Sequence, residues 1–128
     1  MKQDLLGDMF VNVKNAESIG RGECITPASK VIKDVLMIMQ KTGYIGEFEY
    51  IDNGKGGLFK VKLLGKINDC GVIKPRFSVS RQDFINWEKR FLPASSLGVL
   101  IVSTSKGVIT HADAKKQNVG GRLLGYVY

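Results

Sequence analysis

The feature that most constrains this chain is a change in the spacing of its apolar residues near Gly43. Before Gly43, apolar residues recur every three or four positions, which is typical of amphipathic helices. After Gly43, short segments alternate apolar with polar residues or run continuously apolar, which is typical of strands. A turn cluster at 52–57 separates two such segments and predicts a hairpin. The change in period predicts an α+β fold.

The breaker residues divide this fold into two small packed modules. The N-terminal module, 1–66, is predicted to be α/β in the order helix, strand, helix, strands. Thr26 is the predicted N-cap of its second helix and Pro27 the first helical residue, since both types favour those positions. Its elements are a helix over 4–17, a strand over 23–26, a helix to about Lys41, and strands over 44–51 and 58–64.

The C-terminal module, 67–128, is predicted to be mainly β with short helices. The continuous apolar run over 97–102 predicts a buried strand. Before it come a broken strand over 67–73 and an extended segment over 75–80, in which Phe77 and Val79 point inward. A helix then begins at a capping box that starts with Ser80, and Pro93 follows its end. After the buried strand come a helix from Thr110 to about Gln117, a turn over 118–121 and a strand over 123–128.

The basic residues are concentrated in the second half. Residues 1–65 carry 9 Lys/Arg and 8 Asp/Glu, whereas residues 66–128 carry 10 and 4, and the whole chain has a formal net charge of +7. A positive potential concentrated in one half attracts polyanions such as nucleic acid. The alternative is a solvated surface that is basic without a specific partner.

Composition argues against several other classes of protein. Apolar residues make up 44% of the chain, which is enough for a core and too much for disorder. No apolar run approaches the roughly 18 residues of a membrane span, and no secretory signal is expected. Cys24 and Cys70 are too few for a disulfide framework and too isolated for a zinc site. We expect a cytoplasmic protein with no metal, cofactor or membrane contact.

The most unusual segment follows the predicted buried strand and comprises Ser103, Thr104, Ser105, Lys106 and Gly107. Hydroxyls and backbone N–H groups bond phosphate and sugar oxygens, and short side chains enter a shallow groove. Lys106 adds charge, and Gly107 allows the backbone to bend. The alternative is a polar turn. The glycine spacing of a nucleotide-binding loop is missing, which argues against an NTPase.

Three further places are weaker candidates for phosphate contacts. Gly120 and Gly121 are unhindered and lie near the Ser103–Gly107 segment if the flanking strands pair, although paired glycines usually mark a turn. Lys55 lies at the tip of the 52–57 loop, where solvated lysines are common. Ser29 and Lys30 lie at a helix N-terminus, which can hold a phosphate but is more often only capped.

An enzyme is not expected. His111, the only histidine, is predicted to be a surface residue beside an N-cap rather than a general base. Neither cysteine has a histidine near it in sequence, and Asp52, Asp69 and Asp83 are explained by turns and caps. No nucleophile or metalloprotease motif is present, so we expect no small-molecule substrate.

With these residues in view, the chain resembles the ribosomal protein S8 family of the small subunit over essentially its whole length. The resemblance is strongest in 97–128, LGVLIVSTSKGVITHADAKKQNVGGRLLGYVY, where STSKG, a short helix, GG and an apolar strand follow one another. DMFVNVKNA at 8–16 and TPASK at 26–30 support it. DFINWEKRFLP at 83–93 resembles the archaeal and eukaryotic branch, so bacterial contacts from 76–96 are not carried over.

The resemblance implies a structural constituent of the small ribosomal subunit that binds the central domain of its ribosomal RNA. It implies early assembly, a role in organising the platform, and other small-subunit proteins as partners. Ser103–Gly107 matches the family's principal RNA-contacting loop, with Gly120–Gly121 beside it. Lys14, Asn15, Ser29 and Lys30 match a segment that meets RNA from the other module. The alternatives are a free-standing RNA-binding regulator, for example of its own messenger RNA, and a small phosphate-handling enzyme.

Overall fold

The computed structural model describes residues 5–73, 78–80, 82–93 and 97–128. It divides the chain into two units, Met1–Gly71 (unit 1) and Val72–Tyr128 (unit 2). The elements are α1 (Leu5–Ser18), β1 (Glu23–Pro27), α2 (Lys30–Lys41), β2 (Ile45–Ile51), β3 (Leu58–Leu63), β4 (Cys70–Val72), β5 (Ser78–Val79), α3 (Phe84–Phe91), β6 (Val99–Thr104), β7 (Gly107–Thr110), α4 (His111–Gln117) and β8 (Gly121–Val127).

Unit 1 packs α1 and α2 against an antiparallel sheet in the order β1-β3-β2. The helical stripe predicted for α1 is buried, with Met9 and Val13 fully enclosed. The sheet contributes alternate residues of β3 to the same core, because successive side chains of a strand point to opposite faces. The most deeply buried side chains of this unit are Met9, Phe10, Val13, Ile32, Val35, Leu36, Met39, Ile45 and Val61.

The start of α2 differs from the sequence-based prediction. Thr26 and Pro27 lie in β1, paired with Phe59 and Leu58 of β3, and the N-cap is Ser29. The Ser29 hydroxyl accepts a hydrogen bond from the backbone N–H of Ile32 at 3.2 Å. Pro27 is tolerated because β1 is an edge strand, where a residue without an N–H can end the pairing.

Unit 2 has a sheet in the order β4-β8-β6-β7, with β5 paired to the far end of β8. Pairs such as Val102 and Leu123 point their side chains to one face, where α3 and α4 cover them with Phe84 and Ala114. The buried cluster on this face comprises Ile73, Val79, Phe84, Leu92, Leu100, Val102, Ala114 and Leu123. The apolar run predicted as a buried strand is β6, whose Leu100, Ile101 and Val102 are fully enclosed.

The capping box predicted at Ser80 does not form. The Ser80 hydroxyl donates a hydrogen bond to the Asp83 carboxylate at 2.8 Å, and α3 begins only after Asp83. The two side chains bond to each other instead of to backbone N–H groups, so neither caps the helix. Gly121 lies in β8 rather than in the preceding turn. Phe77 lies outside the described residues, whereas Val79 is buried as predicted.

The predicted α+β class in two modules is confirmed by the two units and their antiparallel sheets. The helix predicted from Thr110 is confirmed as well, since Thr110 accepts from the backbone N–H of Asp113 at 3.2 Å and α4 ends at Gln117. In the part of the chain that the structure describes, no helix is long and apolar enough to cross a membrane.

Gly121 allows β8 to approach β6 closely, and we expect Gly121→Ala to destabilise the fold. A Cβ atom there would collide with the carbonyl oxygen of Ser103 and lie 2.8 Å from a methyl group of Val102. Urea denaturation should show a loss of about 1–3 kcal/mol in the free energy of unfolding, as for other overpacked sites. Gly22→Ala, whose Cβ would meet nothing within 4 Å, is the control. Equal stabilities of the two variants would contradict the prediction.

Candidate functional site

The hairpin between β6 and β7 presents the segment 103–107. Thr104 pairs with Gly107, so the loop consists of Ser105 and Lys106 only. Gly107 has a φ of +108°, whereas Ser105 and Lys106 both have negative φ. This combination is typical of a type I turn followed by a glycine bulge, in which the glycine takes the backbone angle that other residues resist.

The hydroxyls of the hairpin have different environments. The Thr104 hydroxyl donates to the carbonyl oxygen of Gly107 at 2.8 Å and accepts from the N–H of Lys106 at 3.1 Å. Thr104 therefore holds the turn closed. Ser105 and Lys106 are exposed at the tip, and within the described residues the Ser105 hydroxyl has no hydrogen-bond partner. Ser103 is half-buried within β6. Ser105 thus carries the most accessible of the three hydroxyls.

The structure brings Gly120 and Gly121 next to this hairpin. Ser103 pairs with Arg122 of β8, and the backbone of Gly121 packs against Ser103 and Thr104. The pairing of the flanking strands, on which the predicted proximity depended, is therefore present. We call Ser103–Gly107 together with Gly120–Gly121 the hairpin corner.

A buried polar cluster lies between α3, α4 and β6 of the same unit. His111 Nδ1 accepts a hydrogen bond from the backbone N–H of Leu100 at 2.9 Å, and His111 Nε2 lies 3.2 Å from Glu88 Oε1. Lys115 contacts the same carboxylate oxygen. The prediction that His111 is a surface residue is wrong, since only 5% of it is exposed. The helical turn after Thr110 directs the side chain inward, where Glu88 partners it.

The environment of His111 fixes its charge state. Burial lowers its pKa below the ordinary value of 6.5; the Glu88 carboxylate opposes this effect, and the Lys115 ammonium reinforces it. A neutral ring with its proton on Nε2 satisfies both contacts, because Nδ1 then accepts from Leu100 and Nε2 donates to Glu88. The cluster links both helices to the strand that leads into the hairpin corner.

In unit 1, Ser29 and Lys30 border an open groove of about 520 Å³. The groove also contains Lys33, Tyr50 and Gly56. Lys55 is next to Gly56 and exposed at the tip of its loop, which the Asn53 side chain orders by accepting from two backbone N–H groups. Ser29 and Lys30 therefore line this groove, although Ser29 already caps α2, whereas Lys55 lies on the adjoining loop and is not part of the lining.

Lys14 and Asn15 lie elsewhere on unit 1, near the end of α1. The Lys14 ammonium forms an ion pair with Asp69 at 2.9 Å, so its charge is partly compensated. Asn15 is exposed beside a groove of about 390 Å³ that also contains Arg21 and Ile25. The groove that Ser29 lines includes neither Lys14 nor Asn15.

Both cysteines are buried and free, and the acidic residues in the described part of the chain do not gather into a metal site. Burial raises the pKa of Cys24 to about 11 and that of Cys70 to about 12, with smaller contributions from Glu17 and Asp69. Both thiols are therefore protonated at neutral pH and unreactive. No group of three or more His, Cys, Asp or Glu side chains among the described residues is arranged to hold a metal ion.

The sequence analysis did not identify three residues of unit 2: Arg122, which lies beside the hairpin corner, and Glu88 and Lys115, which lie on the helices that contact β6. Glu88 and Lys115 are distant from His111 in sequence, and only the packing of α3 on α4 unites them. Arg122 follows Gly121 and pairs with Ser103, which the strand register alone reveals. The sequence contained one signal that could have identified Arg122 as a candidate, namely its position directly after Gly120 and Gly121.

Two comparisons with known proteins show which family the chain belongs to. A family model described as "Ribosomal protein S8" matches residues 4–128. The small ribosomal subunit protein uS8 of Methanococcoides burtonii is 52% identical over 126 residues, which cover 98% of this chain and 97% of the relative. These matches define a family of ribosomal proteins, which are structural components of the ribonucleoprotein that carries out translation. The chain belongs to the ribosomal protein S8 family.

The buried histidine makes stability depend on pH, and we expect His111→Gln to remove part of that dependence. The unfolded chain takes up a proton near pH 6.5, whereas folded His111 takes it up only at lower pH because burial lowers its pKa. Between these values the unfolded state binds more protons, so stability falls as pH decreases.

Urea denaturation at several pH values from 7.5 to about 5 would measure this effect. The parent should lose more stability on acidification than His111→Gln, whatever the difference between them at pH 7.5. Because His111 is the only histidine, no other imidazole contributes. Parallel pH profiles of the two proteins would contradict the prediction.

Proposed function

We propose that this protein is a structural constituent of the small ribosomal subunit and binds directly to the central domain of small-subunit ribosomal RNA. In this role it assembles early and helps to organise the platform, in the cytoplasm and beside other small-subunit proteins. The match of the family model to residues 4–128 carries the proposal. The relative named as a small-subunit protein supports the choice of subunit.

The hairpin corner suits the sugar edge of a folded RNA. An A-form helix has a wide, shallow minor groove that displays 2′-hydroxyls, so short polar side chains reach it better than long ones. Ser105 is exposed at the tip, while Thr104 fixes the backbone of the turn from inside. Ser105 is thereby presented as a donor and acceptor for a 2′-hydroxyl or a base edge.

The cations of the site supply the part of the affinity that depends on salt. Lys106 is exposed at the tip and lies next to Ser105, where it can neutralise a phosphate beside the groove. In unit 1, Lys30 lines the open groove at the start of α2 and Lys55 is exposed on the loop that adjoins this groove, so they offer a second phosphate contact. We include Ser29, Lys14 and Asn15 on the resemblance; for Lys14, the ion pair with Asp69 reduces the expected contribution.

Sedimentation with ribosomal subunits tests the proposal. The tagged protein, expressed in an archaeon, should travel with the small subunit in gradients at high salt. Chemical footprinting on a transcript of the small-subunit ribosomal RNA of Methanococcoides burtonii should show protection confined to the central domain. A protein that binds RNA but leaves the subunit at high salt would instead be a free-standing regulator. Protection outside the central domain would contradict the assigned binding region.

Ser105→Ala should weaken binding to this transcript by about 1–2 kcal/mol, because its partners on the RNA lose a hydrogen bond. The free energy of unfolding should change by no more than about 0.5 kcal/mol, since the side chain is exposed.

Thr104→Ala should lower both the affinity for the transcript and the free energy of unfolding, because it removes both hydrogen bonds that close the turn. Filter binding and urea denaturation measure the two quantities.

Ser80→Ala is the matched control, since it removes another exposed serine hydroxyl from unit 2. Its affinity for the transcript should equal that of the parent. If Ser105→Ala also binds as the parent does, Ser105 does not contact the RNA.

A further inference from the structure

Three polar residues form a row across neighbouring strands of the sheet in unit 2. Arg122 of β8 pairs with Ser103 of β6 on one side and with Ser78 of β5 on the other. Residues paired across antiparallel strands point to the same face of a sheet. With strands about 4.8 Å apart, the row extends for roughly 10 Å from Ser103 to Ser78.

This row lies on the face opposite to the covering helices. The next pair along the strands, Val102 and Leu123, points into the cluster that Phe84 of α3 and Ala114 of α4 cover. Because side chains alternate along a strand, the row points the other way. Arg122 and Ser78 are exposed, and Ser103 is half-buried.

Arg122 makes no polar side-chain contact with the part of the chain that the structure describes. Among the residues that the structure describes, no carboxylate forms an ion pair with its guanidinium and no group accepts a hydrogen bond from it. An unpaired guanidinium flanked by two hydroxyls offers a planar set of donors that matches a phosphate group.

The sheet of unit 1 shows the opposite arrangement. On its outward face, Lys62 pairs across the strands with Glu23, and Lys60 pairs with Glu49 and forms an ion pair with Glu23 at 3.5 Å. The groove on that face also contains Glu47, so its charges are neutralised within the sheet. The cation in the row of unit 2 has no such partner among the described residues, which favours a ligand that carries negative charge.

We propose that the row Ser103–Arg122–Ser78 extends the RNA-binding surface from the hairpin corner across the sheet, with Arg122 bound to a backbone phosphate. This inference rests on the proposed function. Ser103 belongs to both surfaces, so an RNA strand whose sugar edge meets Ser105 can continue along the sheet. Each serine hydroxyl bonds an oxygen atom of the RNA backbone on its own side of Arg122, either a neighbouring phosphate oxygen or a sugar hydroxyl.

The test measures binding of the full chain to the Methanococcoides burtonii small-subunit transcript over a series of KCl concentrations. Arg122→Gln should weaken binding about fivefold at roughly 0.1 M salt and reduce the slope of log affinity against log salt by about one. Arg122→Lys should keep the parent's slope, because it keeps the charge. Lys89→Gln removes one exposed cation from α3, on the covered side of the sheet, and should leave affinity and slope unchanged.

The outcomes separate this inference from the proposed function. If the parent binds specifically and Ser105→Ala weakens it, but Arg122→Gln behaves as the parent, the row does not contact RNA while the proposed function stands. If Lys89→Gln lowers the slope as much as Arg122→Gln, only net charge matters and the row is again excluded. A parent that prefers this transcript no more than an unrelated duplex overturns both. Urea denaturation of Arg122→Gln should match the parent.

Discussion

The pairing of β6 with strands on both sides is the interaction on which unit 2 depends. Its middle residues, Leu100 to Val102, are fully enclosed, so the strand is fixed by burial and by hydrogen bonds to β7 and β8 together. The chain becomes polar at the point where β6 leaves the core. The position of the Ser103–Gly107 segment is therefore set by the most buried part of the unit, because no flexible loop separates this segment from the buried residues of β6.

The polar cluster of His111, Glu88 and Lys115 adds a second constraint on the same strand. The hydrogen bond from Leu100 to His111 ties β6 to α4, and Glu88 ties α3 to α4. Buried polar groups of this kind are costly unless each has a partner, but once satisfied they specify one arrangement of the elements. The helices thereby support the sheet through directional contacts as well as through apolar packing.

Much of this arrangement could be predicted from sequence because it follows from local patterns. The change of apolar period near Gly43, the turn at 52–57 and the hydroxyl-rich segment after the apolar run all concern residues near each other in the chain. The errors arose where distant residues decide the outcome. Thr26 and Pro27 are good helix-starting residues, yet pairing with β3 places them in a strand.

The same reason explains what sequence could not show of the site. The sequence predicts His111 at the surface, because it does not show that α3 places Glu88 beside this ring. It does not distinguish Arg122 from the other cations, because only the strand register shows that Arg122 lies beside Ser103. The groove that Ser29 and Lys30 share with Gly56 likewise depends on how the 52–57 loop folds next to α2. Contacts of long sequence separation are invisible to periodicity, which describes one element at a time.

The internal bonding of Thr104 has a consequence for the thermodynamics of recognition. The short Ser105 side chain, on a backbone already locked by that threonine, has little conformational freedom left to lose. Immobilising a long side chain such as that of Lys106 costs about 0.5–1.5 kcal/mol on association, and flexible loops cost more. In the proposed RNA-binding role, Ser105 and the backbone of the tip would therefore bind at a small entropic penalty, and Lys106 would account for most of that penalty.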